Sequence, residues 1–273
     1  MVRAMSRDKS SQPTDDGEAR AETFVSFGFE TVPEPEKARR VRHVFESVSG
    51  RYDLMNDLMS GGVHRWWKQA MIDWLAPRPG IRLLDVAGGT GDIALRVIAR
   101  LGVEQVGQIV VCDLTPEMLE VGRDRAIDQG ILANHPGGPH WICGNAERLP
   151  LADRSFEAYT IAFGLRNVTR IAAALAEARR VLRPGGRFLC LEFSRVAVPL
   201  VSELYDLYSF KVVPALGGWV AGDRDAYRYL VESIRRFPPQ DELAGLIAEA
   251  GFDRVRYRNL TGGIAALHSA WRL

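Results

Sequence analysis

Gly88, Gly89 and Gly91, flanked by the carboxylates of Asp85 and Asp92, are the residues of this chain best suited to holding a ligand. They follow an apolar run at 81–86 and precede Ile93, Ala94, Leu95, Val97 and Ile98 at helical spacing. Side-chain-free positions between a strand and a helix start let a ligand lie against bare backbone, where free N–H groups point outward. Gly89 to Ala94 also fits the G-x-G-x-x-G/A pattern of dinucleotide sites, and a tight turn with no ligand would use the same glycines. The next apolar run ends at Asp113, 24 residues after Gly89, where a carboxylate can accept both hydroxyls of a ribose. Thr115 as N-cap and Pro116 at the first helical position predict a helix immediately after it. A ribose-binding acid serves a nicotinamide enzyme and an S-adenosylmethionine (SAM) enzyme equally.

Three features favour the methyl donor. Asp85 and Asp92 put negative charge beside the glycines, which repels a pyrophosphate and suits a cationic sulfonium with its ammonium group. A third apolar run, Trp141-Ile142-Cys143, leads into Gly144, Asn145, Ala146 and Glu147, where an Asn side chain and a backbone amide can grip an adenine edge. The machinery of hydride transfer is missing. The chain has four lysines (Lys9, Lys37, Lys68 and Lys211), and none lies four residues after a tyrosine; Tyr208 to Lys211 is one residue short.

At this point the chain resembles a known family, the ubiquinone/menaquinone biosynthesis C-methyltransferases of the UbiE type, from about Phe27 to Leu273. The residues that carry the resemblance are Tyr52-Asp-Leu-Met-Asn-Asp-Leu-Met-Ser60, Gly62-Val-His-Arg-Trp-Trp-Lys68 and Asp85-Val-Ala-Gly-Gly-Thr-Gly-Asp92. Further along stand Ala162-Phe-Gly-Leu-Arg-Asn-Val168, Val181-Leu-Arg-Pro-Gly-Gly-Arg187, Leu191-Glu-Phe-Ser194, Tyr227-Arg-Tyr-Leu-Val-Glu-Ser-Ile-Arg235 and Asn259-Leu-Thr-Gly-Gly263. The glycine loop and the Leu-Arg-Pro-Gly-Gly turn are general to class I methyltransferases; the other segments are far more specific. The resemblance implies SAM-dependent C-methylation of a polyprenylated benzoquinol in ubiquinone synthesis, with demethylmenaquinol as a second acceptor. It also implies peripheral contact with the inner membrane face and with other quinone-biosynthesis proteins, and it leaves a homodimer open.

Length and composition set bounds on this reading. With 273 residues the chain suits one large α/β domain able to bury a sizeable core. A net charge of +1 gives no electrostatic case for nucleic acid. Cys112, Cys143 and Cys190 each lie in an apolar run, are odd in number and fit no zinc spacing, so buried free thiols in a reducing, cytoplasmic compartment are expected. No metal is expected. Residues 1–26 are read as a disordered tail, polar and without the apolar core of a signal peptide. No run of about 18 uncharged apolar residues exists to span a membrane.

The elements that must position these residues follow from periodicity. A helical cap is expected over 27–80: Ala38, Val41, Val44, Phe45 and Val48 recur at helical spacing, and 63–74 is a second amphipathic stretch. From residue 81 strands (81–86, 109–113, 140–143, 157–163, 187–193) alternate with helices, one at 172–182 stopped by Pro184-Gly185-Gly186. That alternation predicts an α/β fold with a parallel sheet covered on both faces. A helix at 240–250 and two strands at 253–259 and 264–271 complete the methyltransferase domain, 81–273. The resemblance makes the last two an antiparallel edge of a Rossmann-like, seven-stranded, mostly parallel sheet. A helical insertion after the fifth strand, 196–237, interrupts the rhythm; its apolar part, 196–222, is read either as a buried packing element or as a lid lining a tunnel for the prenyl tail.

Ligands of open α/β sheets collect at the carboxyl ends of the strands. Arg166 stands just after the fourth, and a carbon methyl transfer to a quinol needs a group that stabilises a phenolate there. With a side-chain pKa above about 12, arginine lowers the phenol's pKa and positions a water rather than acting as base; Arg166 is therefore the candidate catalytic residue. The resemblance places the donor on Thr90 of the glycine loop, Asp113 at the ribose, and Asn145 with Ala146 at the adenine, and the bare backbone at Gly88 is counted with them. Tyr52, Asp53 and Asn56 of the cap either close over the donor or pack as a helix start. His64 and His268 are read as structural, and Glu192 as either orienting the quinol or capping a loop.

Overall fold

A computed structural model describes residues 23–48, 57, 60–131, 137–196 and 224–273. The readings made for Tyr52, Asp53 and Asn56, for the lid at 197–222 and for the tail at 1–22 lie outside the described residues.

The chain opens with a hairpin, β1 (Phe24–Phe27) and β2 (Glu30–Pro33), turned at Gly28 with a φ of +58°. This differs from two expectations: residues 24–26 form a strand rather than part of a tail, and the segment from 27 begins as a hairpin rather than a helix. Val25 and Phe27, two residues apart, share one face of β1, Val25 pairs across to buried Val32, and Phe27 stacks on Tyr229 at 4.1 Å. Helix α1 (Glu34–Val48) follows, then α2 (His64–Leu75), which buries Trp67, Met71, Ile72 and Leu75 on one stripe. The ammonium of Lys68 reaches Asp92 at 2.7 Å, fastening α2 to the sheet domain.

The core is a seven-stranded sheet. Its strands in chain order are β3 (Arg82–Val86), β4 (Gln108–Asp113), β5 (Pro139–Cys143), β6 (Phe156–Ala162), β7 (Leu182–Phe193), β8 (Asp253–Leu260) and β9 (Ala265–Arg272). Their order across the sheet is β5-β4-β3-β6-β7-β9-β8. The first five pair in parallel; β9 lies antiparallel to β7 and β8. Both faces of the inner strands are apolar, as parallel strands under two helical layers require. Over one face lie α2, α3 (Asp92–Leu101) and α6 (Arg224–Arg236). Over the other lie α5 (Ile171–Val181) and α7 (Gln240–Glu249), meeting Tyr159, Phe188 and Phe252. Helix α4 (Pro116–Asp128) joins β4 to β5, with Thr115 and Pro116 at its start as expected.

Strand β7 begins at Leu182 rather than 187, its pairing with β6 shifting register between Phe156 and Ala158, which lets Pro184 and Gly185 sit within it. Cys112 and Cys190 are buried free thiols, but Cys143, the last residue of β5, is exposed, against the expectation of three buried cysteines. No helix among the described residues is long and apolar enough to cross a membrane. None of their His, Cys, Asp and Glu side chains group to hold a metal.

Candidate functional site

Strand order reverses between β3 and β6: from β3 the chain winds outward through β4 and β5, then returns to β6 on the other side. A crevice must open above the carboxyl ends of the strands at that switch. A cavity lies there, lined by Ala87 and Gly89 after β3, Asp113 to Thr115 after β4, Gly144 to Glu147 after β5 and Phe163 with Gly164 after β6. Ala38, Val41 and Phe45 of α1 roof it. Its backbone is unusual: Ala87 (φ +49°) and Phe163 (φ +58°) both adopt the left-handed region that non-glycine residues avoid. The loops carrying them touch, and a Cβ on Gly164 would stand 2.3 Å from that of Ala87.

Asp113 ties this cavity together. One carboxylate oxygen accepts the amide of Gly89 and the other that of Thr115, each at 2.9 Å. Burial raises its pKa, opposed by the amides of Thr115, Gly89 and Leu114. A carboxylate offers about four lone-pair sites, so capacity remains for a pair of hydroxyls from the cavity side. Gly89 turns the loop at a φ of +53°, a conformation that a side chain would strain. The Asn145 side chain accepts the amide of Glu147 at 2.9 Å, which shapes the loop after β5, and buried Ala146 presents a small apolar wall beside it. Aliphatic walls, a carboxylate with lone pairs to spare and an amide-rich loop fit an adenosine-bearing methyl donor.

The structure brings Gly89, Asp113, Asn145 and Ala146 to one cavity, but not the other two residues of the expected donor set. Gly88 lies behind it: its amide donates to the Cys112 carbonyl, and a Cβ there would strike Val111 at 2.7 Å, so packing requires the glycine. Thr90 is buried, its hydroxyl accepting from Arg125 at 3.1 Å, and it does not line the cavity. A glycine fingerprint fixes where the loop is, not which of its residues faces inward. Met118 and the α1 roof went unread in the sequence. Their apolar spacing showed a packed face without showing what it packs against.

The charge argument from Asp85 and Asp92 also needs correction. Asp92 is ion-paired with Lys68 (2.7 Å) and Arg96 (2.8 Å), so its charge is already balanced. Asp85 is buried under the loop, accepts the Thr160 hydroxyl at 2.8 Å, and burial pushes its pKa up to about 7. Neither lines the cavity. The two histidines behave as structural groups: His64 hydrogen-bonds Ser60, and burial followed by Lys68 lowers its pKa to about 4. His268 meets the Gln240 carbonyl and is lowered by burial.

Arg166 lies in a single 3-10 turn, Leu165–Asn167, at the end of β6. It is buried, and its Nη1 donates to Glu192 at 2.8 Å and to the Phe163 carbonyl. Its own amide donates to the second oxygen of Glu192, at 3.3 Å. Glu192 is thus the anchor of the turn, its pKa raised by burial and held back by Arg166. Arg166 does not line the donor cavity; it lines a second one, which meets the first at Val168 and Thr169. Asn167, next in the turn, faces the donor cavity and accepts the hydroxyl of Tyr229 at 3.1 Å.

Sheet order, antiparallel edge and adenosine-type cavity define a class I SAM-dependent methyltransferase. Solved structures agree on the fold: a SAM-dependent methyltransferase from Thermotoga maritima superposes with a TM-score of 0.58 at 20% identity, covering 85% of this chain and all of that one. A phosphoethanolamine N-methyltransferase 2 from Haemonchus contortus, solved with SAM, gives 0.55 at 14% identity over 76% of this chain and 52% of that one. Residues 33–272 match the model of the ubiE/COQ5 methyltransferase family, and the chain belongs to that family. It is 60% identical over 247 residues to the ubiquinone/menaquinone biosynthesis C-methyltransferase UbiE of Paracoccus denitrificans, covering 90% of this chain and 96% of that protein. The protein of the same name from Brucella abortus is 56% identical over 250 residues, 91% of either chain.

Proposed function

We propose that this chain methylates a ring carbon of a polyprenylated benzoquinol in ubiquinone synthesis and, by the same ring chemistry, converts demethylmenaquinol to menaquinol. One observation carries the reading: a buried arginine, clamped by Glu192, stands in the turn that separates the donor cavity from a second cavity. SAM supplies an electrophilic methyl on a positively charged sulfur. A neutral quinol is a weak carbon nucleophile and its phenolate a strong one, so the protein's task is placement and charge stabilisation. Arg166 stabilises the ionised hydroxyl; the proton goes to water, since an arginine does not give up its own. The ring C–H proton displaced by the methyl leaves in the same way. Asp113, Asn145 and Ala146 hold the donor, and the roof from α1 keeps water from the sulfonium. The acceptor must be the reduced quinol, because an oxidised ring is electron-poor.

A polyprenyl acceptor partitions into the bilayer, so the chain works at the membrane surface, from the cytoplasmic side and alongside other quinone-synthesis proteins. Mass analysis of quinones from a strain lacking this chain tests the reading: the ring one methyl short should accumulate and disappear on complementation. An unchanged quinone profile would refute it.

A further inference from the structure

The second cavity has a chemistry of its own. Its volume is about 310 Å³, twice the roughly 150 Å³ that admits a benzene ring. Its charged lining is cationic throughout: Lys37 from α1, Arg166 from the turn after β6, and Arg236 at the end of α6. Tyr229, Ser233 and Phe237 add an aromatic and hydroxyl wall. The cavity wall itself holds no carboxylate; Glu192 behind it pairs with Arg166, Glu147 with Arg170 and two amides, Glu34 with Arg170, and Glu232 with the amide of Phe29. Lys37 is 7% exposed and donates one proton, to the Val168 carbonyl at 3.1 Å, leaving two N–H bonds to offer. The Nε of Arg166 is buried and has no partner among the described residues. A buried ammonium that pairs with no carboxylate, beside a guanidinium that Glu192 engages at one nitrogen, suits a flat anion.

We propose that this second cavity receives the aromatic head of the methyl acceptor as its phenolate, held between Lys37 and Arg166 with Arg236 at the mouth. The inference rests on the methyltransferase reading and adds where the ring lies and what selects its charge. Lys37 contributes twice, by presenting an ammonium and by holding the Val168 carbonyl in the wall that the two cavities share. Burial lowers the pKa of Lys37, the charge of Glu147 raising it in part; an anion alongside would favour its charged form further.

The test uses 4-nitrophenol, whose phenolate absorbs visible light, with the full-length protein and S-adenosylhomocysteine as donor-site ligand. The probe should bind saturably without displacing S-adenosylhomocysteine, and the bound phenol should ionise at lower pH, its phenolate preferred by about tenfold or more. Lys37→Met should erase most of that preference, Arg236→Gln part of it, and Ser233→Phe should block the probe by filling the cavity. S-adenosylhomocysteine affinity should survive all three, showing that the variants are folded. Displacement of the probe by S-adenosylhomocysteine, equal binding of phenol and phenolate, or an unchanged preference in Lys37→Met would overturn the inference while leaving the methyltransferase reading intact. Failure of the wild-type protein to bind S-adenosylhomocysteine would overturn both.

Discussion

Replacing Asp113 by Asn separates contact with the donor from support of the loop. Asp113 accepts two amides at 2.9 Å, one from the glycine loop and one from the start of α4. Alanine would strand both; asparagine keeps one acceptor oxygen in place, removes the charge and turns an NH₂ toward the second amide. That mismatch should cost about 1–3 kcal/mol of stability, read as a lowered Tm. For the donor, the loss of charge-assisted bonds to two ribose hydroxyls is worth about 1.5–3 kcal/mol, a Kd roughly 10- to 150-fold weaker. Isothermal calorimetry with SAM and S-adenosylhomocysteine measures it. Thr90→Val is the control, since that hydroxyl bonds Arg125 behind the cavity; it should change Kd by no more than about twofold while lowering Tm. A wild-type Kd in Asp113→Asn removes the residue from the donor site. An equal loss in Thr90→Val would show that loop collapse, rather than a lost contact, sets the affinity.

The remaining predictions concern the turn, its anchor and the buried acid. Arg166→Lys should lower turnover about 10²- to 10³-fold with donor Kd near wild type, because one ammonium cannot serve Glu192 and a phenolate together; unchanged kcat would exclude Arg166 from the chemistry. Arg166→Ala should in addition cost about 3–5 kcal/mol, read by denaturant unfolding, since it leaves Glu192 buried and unpaired. Gly164→Ala should lower Tm by the equivalent of about 1–3 kcal/mol, and the double variant with Ala87→Gly should recover most of it, the two β-carbons being the colliding pair. Burial lifts the pKa of Asp85 from 3.8 to about 7, so the folded state binds the extra proton and stability falls as pH rises through that window, by up to about 4 kcal/mol. His64 is lowered from 6.5 to about 4, so its contribution rises with pH across that range and opposes Asp85. In Asp85→Asn the opposing slope is gone and Tm should climb between about pH 4 and 6.5; a variant profile parallel to wild type would contradict both assignments.

The strands were readable because buried parallel strands are written as unbroken apolar runs, and β3 and β4 fall within a residue of where those runs predict them. The hairpin at Phe24–Phe27 was not readable: four residues a side, attached to a polar tail, give too short an alternation to stand out. Cys143 looked buried because apolar neighbours surround it in sequence, yet it terminates its strand and meets solvent. That Asp113, Asn145 and Ala146 reach the crevice was legible from their places at strand ends, since topology alone sends strand ends there. Gly88 and Thr90 lie in the same loop but off the cavity wall, because the facing of a tight loop depends on φ angles that composition does not encode. The Arg166–Glu192 pair joins the turn after β6 to strand β7 across 26 residues, and only the sheet order reveals that they meet.

The most direct measurement follows a labelled methyl group. Purified protein, SAM carrying a deuterated methyl and a short-chain methoxy-benzoquinol kept reduced are incubated, and the label is located by mass spectrometry and NMR. The label should appear on a ring carbon of the quinol, depend on Arg166, and vanish when the same ring is supplied as the oxidised quinone. Label on a ring oxygen, label transferred equally to the quinone, or no transfer by protein shown to bind the donor would each contradict the account.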